Sequence, residues 1–357
     1  MRPAPRTIVV ACVAAVLVIA VGIAARPLVP SLSDRESGDP DLLARVRPLL
    51  SEGVHDRVGV VEIDGDRTRF AHFGADDHTD YEIGSITKTM TGALLAEAIA
   101  RGEVAEDTRL GDLVELDGAP AADVTLAELS GHRSGLPRLP GRPSDQITGG
   151  LASALGRDPY RHDHDTLVAQ VAAAELSDRG ESHYSNLGTA VLGYALAEAA
   201  GTDYATLLRE RLLDPLDMEE TFLPASETDL PPDATMGYSE RGRRADPWLA
   251  QAYAPAGGVR STPADMERYA RALLEGDAPG AEAMEPRWDD GQGGRIGFAW
   301  VVDEYDGTEV TWHNGGTGGF SSMIALDREG ERAVVMLGNT TTGLELPALE
   351  LLTGEDS

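Results

Sequence analysis

Strand patterns near both ends of the chain, with helical patterns between them, predict an α+β protein. Its antiparallel sheet would be built from N- and C-terminal strands and flanked by helices, with an inserted helical lobe over residues 110–240. The first of the deciding observations is a hairpin signal: Val58 to Ile63 and Thr68 to Phe73 flank Asp64-Gly65-Asp66. The second lies far along the chain, where Gly297 to Asp303, Thr308 to His313, Phe320 to Leu326 and Ala333 to Leu337 read as strands. Asp306-Gly307 and Arg328-Glu329-Gly330 supply the turns between them.

In chain order, Arg2 and Arg6 precede an uncharged run from Ile8 to Ala25, closed by Arg26 and Pro27. Residues 1–26 are therefore expected to be a signal peptide or membrane anchor that places the rest outside the cytoplasm. An uncleaved anchor is the expectation, and secretion after cleavage the alternative. Residues 27–40, rich in Pro, Ser, Asp and Gly, read as a linker before a folded domain spanning 41–355. Leu42, Leu43, Val46, Leu49 and Leu50 recur at helical spacing. From Ile86, Met90, Leu94, Leu95, Ala98 and Ile99 mark a helix that stops at Arg101-Gly102. Leu187 to Ala200 and Tyr204 to Leu213 are further helical patterns, and Thr262-Pro263-Ala264-Asp265 opens another with a capping hydroxyl and Pro at its first position.

Composition narrows the function. With 60 acidic against 30 basic residues the formal charge is −30, which repels phosphate backbones and argues against a nucleic-acid partner. The single cysteine, Cys12, excludes an internal disulfide and a Cys-ligated metal. Among the 30 basic residues there is one lysine, Lys88, in Ile83-Gly84-Ser85-Ile86-Thr87-Lys88, and no other charge occurs between Glu82 and Glu97. Ser85 and Lys88, three apart, project from one face of the helix, with Ser85 at its start, where free N–H groups favour developing negative charge. A serine attacks a carbonyl only with a base beside it, and a desolvated lysine can lose its proton whereas arginine cannot. Tyr184-Ser185-Asn186 stands just before an apolar helix, where the phenol can share that proton and the Asn amide can hold substrate and lysine. His313-Asn314-Gly315-Gly316 ends a strand against which a substrate backbone could lie, and the N–H groups of Gly316 and Ser85 could form an oxyanion hole.

Ser-x-x-Lys on an early helix, Tyr-x-Asn in mid-chain and His-x-Gly on a late strand together resemble the serine hydrolases of the class C β-lactamase and D-alanyl-D-alanine carboxypeptidase family. Tyr81-Glu82-Ile83-Gly84, Ser134-Gly135-Leu136-Pro137, Leu213-Asp214-Pro215-Leu216, Gly257 to Thr262 and Gly318-Gly319-Phe320 look like the same family. The resemblance implies Ser85 as acylated nucleophile, Lys88 and Tyr184 as handlers of its proton, and Ser85 and Gly316 as backbone oxyanion donors. It also implies Asn186, His313, Asn314 and Gly315 as substrate-binding residues, with His313 in the cation position of the third motif. The expected substrate is a small peptide, amide or ester, and no metal, nucleotide or flavin is implied.

Departures bear on that substrate. His-Asn-Gly replaces the Lys-Thr-Gly of the β-lactamases and lacks a permanent cation, which puts efficient β-lactam turnover in doubt. Asp217 stands where the family has Gly, and His132-Arg133 replaces His-Thr. Two other classes compete: a metallo-hydrolase using His162-Asp163-His164-Asp165, better read as a charged loop, and a catalytically inactive peptide- or penicillin-binding sensor on the same fold.

Overall fold

The computed structural model describes residues 28–139, 141, 156–249 and 251–354. The segment expected to target or anchor the chain, residues 1–26, lies outside them. Among the described residues, no helix is long and apolar enough to cross a membrane.

Apolar, β-branched runs from both ends of the chain meet in one antiparallel sheet. In chain order its strands are β1 (Glu36–Gly38), β2 (Val58–Asp64), β3 (Arg67–Phe73), then β6 (Trp288–Asp289), β7 (Arg295–Ile296), β8 (Val301–Tyr305), β9 (Thr308–Gly316), β10 (Ser321–Asp327) and β11 (Arg332–Gly338). The spatial order is β1-β3-β2-β11-β10-β9-β8-β7-β6, so β2 from the N-terminal hairpin pairs with the last strand. Val58 stands opposite Gly338 and Asp64 opposite Arg332. β4 (Tyr81–Glu82) and β5 (Arg260–Ser261) form a separate pair. The central strands are apolar on both faces because both are covered: Ala333, Val335 and Leu337 enter the larger core, Val334 and Met336 the smaller. Helices α1 (Pro40–Leu49) and α6 (Glu345–Thr353) close the smaller core.

On the other face α5 (Pro263–Glu275) packs against β2, β10 and β11, and α2 (Thr87–Ala100), α3 (His164–Ala172) and α4 (Asn186–Ala200) contribute to the same larger core. α5 shows the capping predicted for it, with the Thr262 hydroxyl accepting from the Asp265 N–H. α2 is buried nearly all round, so its polar side chains find partners within the core. Thr89 donates to the Ile86 carbonyl, and Thr91 lies 2.6 Å from Tyr204 Oη.

Four expectations change. Glu36–Gly38, placed in the linker, pairs with Ala71–Phe73, and α1 begins one residue before Asp41 because Asp39 caps it. Gly297 to Asp303 is not one strand. Gly297 N–H donates to the Trp300 carbonyl in a turn, while Phe298 and Ala299 donate outside the sheet, to Ala283 and Ser130. The helical lobe ends near Leu216, since the described residues from Asp217 to Leu249 contain no α-helix in a stretch punctuated by Pro224, Pro231 and Pro232. The His162 to Asp165 run is the start of α3: Asp163 accepts from the Thr166 N–H as its cap, and the His164 ring lies 5.2 Å from that of Tyr194.

Candidate active site

Ser85 sits in a one-turn 3-10 helix, Gly84–Ile86, that runs directly into α2. This turn meets the end of β9 at backbone distance. Gly84 has φ +50°, and a Cβ on it would stand 2.6 Å from the Gly316 nitrogen. A Cβ on Gly315 would collide with the Ile83 carbonyl. Two glycines thus allow the Ser85 turn to touch the strand. Ser85 and Gly316 consequently line one cleft of about 470 Å³, together with Arg138, Tyr184, Asn314 and Glu345.

Lys88 is 0 % exposed. Its Nζ donates to Ser85 Oγ at 3.1 Å and to the Ala256 carbonyl at 2.5 Å, and it lies 4.8 Å from the centre of the Tyr184 ring. Among the described residues no carboxylate pairs with it. Burial, reinforced by the Arg138 guanidinium, holds its pKa well below the usual lysine range. Burial acts oppositely on Tyr184: its phenol is pushed up to about 12, although hydrogen bonding with Ser85 offsets part of the rise. Burial thus favours the neutral amine of Lys88 and the protonated phenol of Tyr184. Groups pushed apart in this way mark the base and the acid of a site.

The third motif departs from expectation. His313 is 3 % exposed, and burial, with Lys88 nearby, pushes its pKa down to about 3. Its Nδ1 lies 2.6 Å from the Asn314 carbonyl, an acceptor only, so Nδ1 carries the proton of a neutral ring. His313 cannot serve as the cation of this cleft at ordinary pH. Asn314 points its amide to Glu345, donating to Oε1 at 2.6 Å. Asn186 donates to Tyr160 Oη at 2.8 Å instead of reaching Lys88, and its buried Oδ1 has no partner among the described residues. Gly315 serves contact between backbones.

These residues come from the two ends and the middle of the chain and converge on one cleft. A family model described as Beta-lactamase matches residues 45–352. The chain belongs to the beta-lactamase family. Within it, the chain is 30% identical over 204 residues to the D-alanyl-D-alanine-carboxypeptidase/endopeptidase AmpH of Escherichia coli (strain K12), covering 55% of this chain and 49% of that protein. The chain thus matches about half the length of that curated relative. Among solved structures it is similar to a class C beta-lactamase, with TM-score 0.76 and 18% identity over 89% of this chain and 97% of the other. It is also similar to the D-alanine carboxypeptidase AmpC from Burkholderia cenocepacia, with TM-score 0.71 and 23% identity over 86% and 97%.

Family-like stretches quoted from the sequence acquire structural reasons. Tyr81-Glu82 pairs with Arg260-Ser261, and the buried Arg260 guanidinium binds both Glu82 and Asp80, fixing the strand that leads to Ser85. Asp217 occupies the left-handed region at φ +52°, the conformation for which the family's glycine is suited. Two residues of the site escaped the sequence reading. Arg138 follows Ser134-Gly135-Leu136-Pro137 immediately, and that adjacency was the available signal. Glu345 lines the cleft from the start of α6, and nothing in its local sequence marks it.

Proposed function

We propose that the protein is a serine hydrolase that cleaves a peptide, amide or ester bond through an acyl-enzyme, in the manner of a D-alanyl-D-alanine carboxypeptidase. The observation that carries this reading is Lys88 Nζ, wholly buried, without a carboxylate partner among the described residues and 3.1 Å from Ser85 Oγ. In the proposed first step neutral Lys88 takes the Ser85 proton as Oγ bonds to the carbonyl carbon, and the carbonyl electrons move to an oxyanion. The Ser85 and Gly316 N–H groups would hold that oxyanion. Collapse expels the leaving group, which takes a proton passed through Lys88 or Tyr184. Water, activated by the same base, then releases the acyl group. Export and tethering through residues 1–26 belong to the same proposal and rest on the composition of that segment.

A fluorophosphonate is expected to modify wild-type protein at one site, and Ser85→Ala is expected to abolish both modification and turnover. Ser85 is half-buried and makes no cap hydrogen bond, so the variant should keep its denaturation midpoint to within about 1 kcal/mol of stability. Intact-mass spectrometry with peptide mapping reads the outcome. Modification that persists in a folded Ser85→Ala protein would remove the mechanism.

A further inference from the structure

We propose that Arg138 binds an anionic group of the substrate, a carboxylate, and so sets the specificity of the Ser85 cleft. This rests on the hydrolase reading above and goes beyond it by naming a substrate class and its receptor. Lys88 is buried and engaged with Ser85 and Ala256, and His313 is buried and neutral. His132 is also buried, and its Nδ1 accepts from the Ser185 N–H at 3.3 Å, which marks a neutral ring. Of the described residues lining the cleft only Arg138 and Glu345 are charged. Glu345 accepts from Asn314 Nδ2, so of these two charges a carboxylate in the cleft meets repulsion from Glu345 and attraction from Arg138, beside the neutral N–H and hydroxyl donors of the lining.

Arg138 is exposed but not loosely placed. Its guanidinium carbon lies 5.1 Å from the centre of the Tyr184 ring, a distance at which cation and ring attract. Its backbone carbonyl accepts from the Asn186 N–H at 3.1 Å, and the Pro137 carbonyl accepts from Ser185 Oγ at 2.8 Å. The segment that carries Arg138 is thereby tied to the segment that carries Tyr184. In a chain with 60 acidic and 30 basic residues, arginines such as Arg45, Arg69, Arg211 and Arg260 pair with carboxylates. Among the described residues Arg138 has no such partner, and its fork of donors stays free for a bidentate ligand. A net charge of −30 repels anionic substrates at long range, so a fixed cation beside the nucleophile decides whether one can be held.

The test uses pairs of fluorophosphonates with linkers of increasing length, each pair ending in a carboxylate or in the matching carboxamide. The second-order rate of Ser85 modification is read by intact mass. In wild type the carboxylate member of at least one pair is expected to react faster. In Arg138→Gln the carboxylate-to-carboxamide ratio of that pair should fall about 10- to 100-fold, and Arg138→Lys should retain more of it than Gln does. The ratio cancels changes in Tyr184 or Lys88 reactivity common to both probes. No carboxylate preference at any linker length, or a ratio untouched by Arg138→Gln, would overturn the assignment while leaving the hydrolase intact. Failure of both members to modify Ser85 would instead sink the hydrolase reading beneath it.

Discussion

Lys88→Arg is expected to lose Ser85 acylation as fully as Lys88→Met, by about 10²- to 10⁴-fold, the usual contribution of a positioned base. Conserving the charge should not help, because a guanidinium cannot give up its proton near neutral pH. Stability should move differently in the two variants. Lys88 is wholly buried with no carboxylate partner among the described residues, so Met removes a polar group that burial disfavours, at the cost of one donor to the Ala256 carbonyl. Its unfolding midpoint should stay within about 1 kcal/mol of wild type or rise above it. Arginine must bury a charge it cannot shed and should lose several kcal/mol, on the order of 3–5. Labelling rates and denaturation curves on both variants check this. A folded Arg variant that acylates within tenfold of wild type would make Lys88 a fixed cation and move the base elsewhere, and a Met variant that loses no activity would show that neither the base nor the charge of Lys88 is needed.

Gly315→Ala is expected to abolish the site by a purely steric route. The added Cβ would collide with the Ile83 carbonyl and with Ser322 Oγ, which itself donates to that carbonyl at 2.8 Å. Neither neighbour is a flexible chain end, so β9 must separate from the Ser85 turn at a cost of about 3 kcal/mol or more. Gly316→Ala supplies the contrast, since its Cβ would find only the Phe320 carbonyl at 4.0 Å. The expected result is a destabilised, unlabelled Gly315→Ala protein beside a Gly316→Ala protein with a normal unfolding midpoint. Equal stability of the two would show that the turn and the strand do not need that close approach.

The legible parts of the molecule are those set by local pattern. Short runs rich in apolar and β-branched residues, bounded by turns such as Asp64-Gly65-Asp66, suffice to place β2 and β3, and the same rules place β9, β10 and β11. The Ser85 and Lys88 pairing was legible because both lie on one helical turn and every other basic residue is arginine. What failed depends on neighbours remote in sequence. His313 reads as a titrating cation until Lys88 and the Tyr184 ring are packed around it. Asn186 reads as a partner of Lys88 until Tyr160, 26 residues earlier, supplies its hydroxyl. Gly297 to Asp303 has strand composition, but hydrogen bonds to Ala283 and Ser130 draw its amides out of the sheet and leave Ala299 at φ +66°. Local propensity contains none of these contacts.

The central claim is that a neutral Lys88 activates Ser85, and the pH dependence of Ser85 modification by an uncharged fluorophosphonate tests it most directly. The active form is the deprotonated amine, so the rate rises as pH climbs through the folded-state pKa of Lys88 and is flat above it. Because burial lowers that pKa well below 10.5, the expected result is a plateau reached far under pH 10.5, with the adduct on Ser85. A rate still climbing past pH 10.5, toward the range where burial has pushed Tyr184 to about 12, would contradict it.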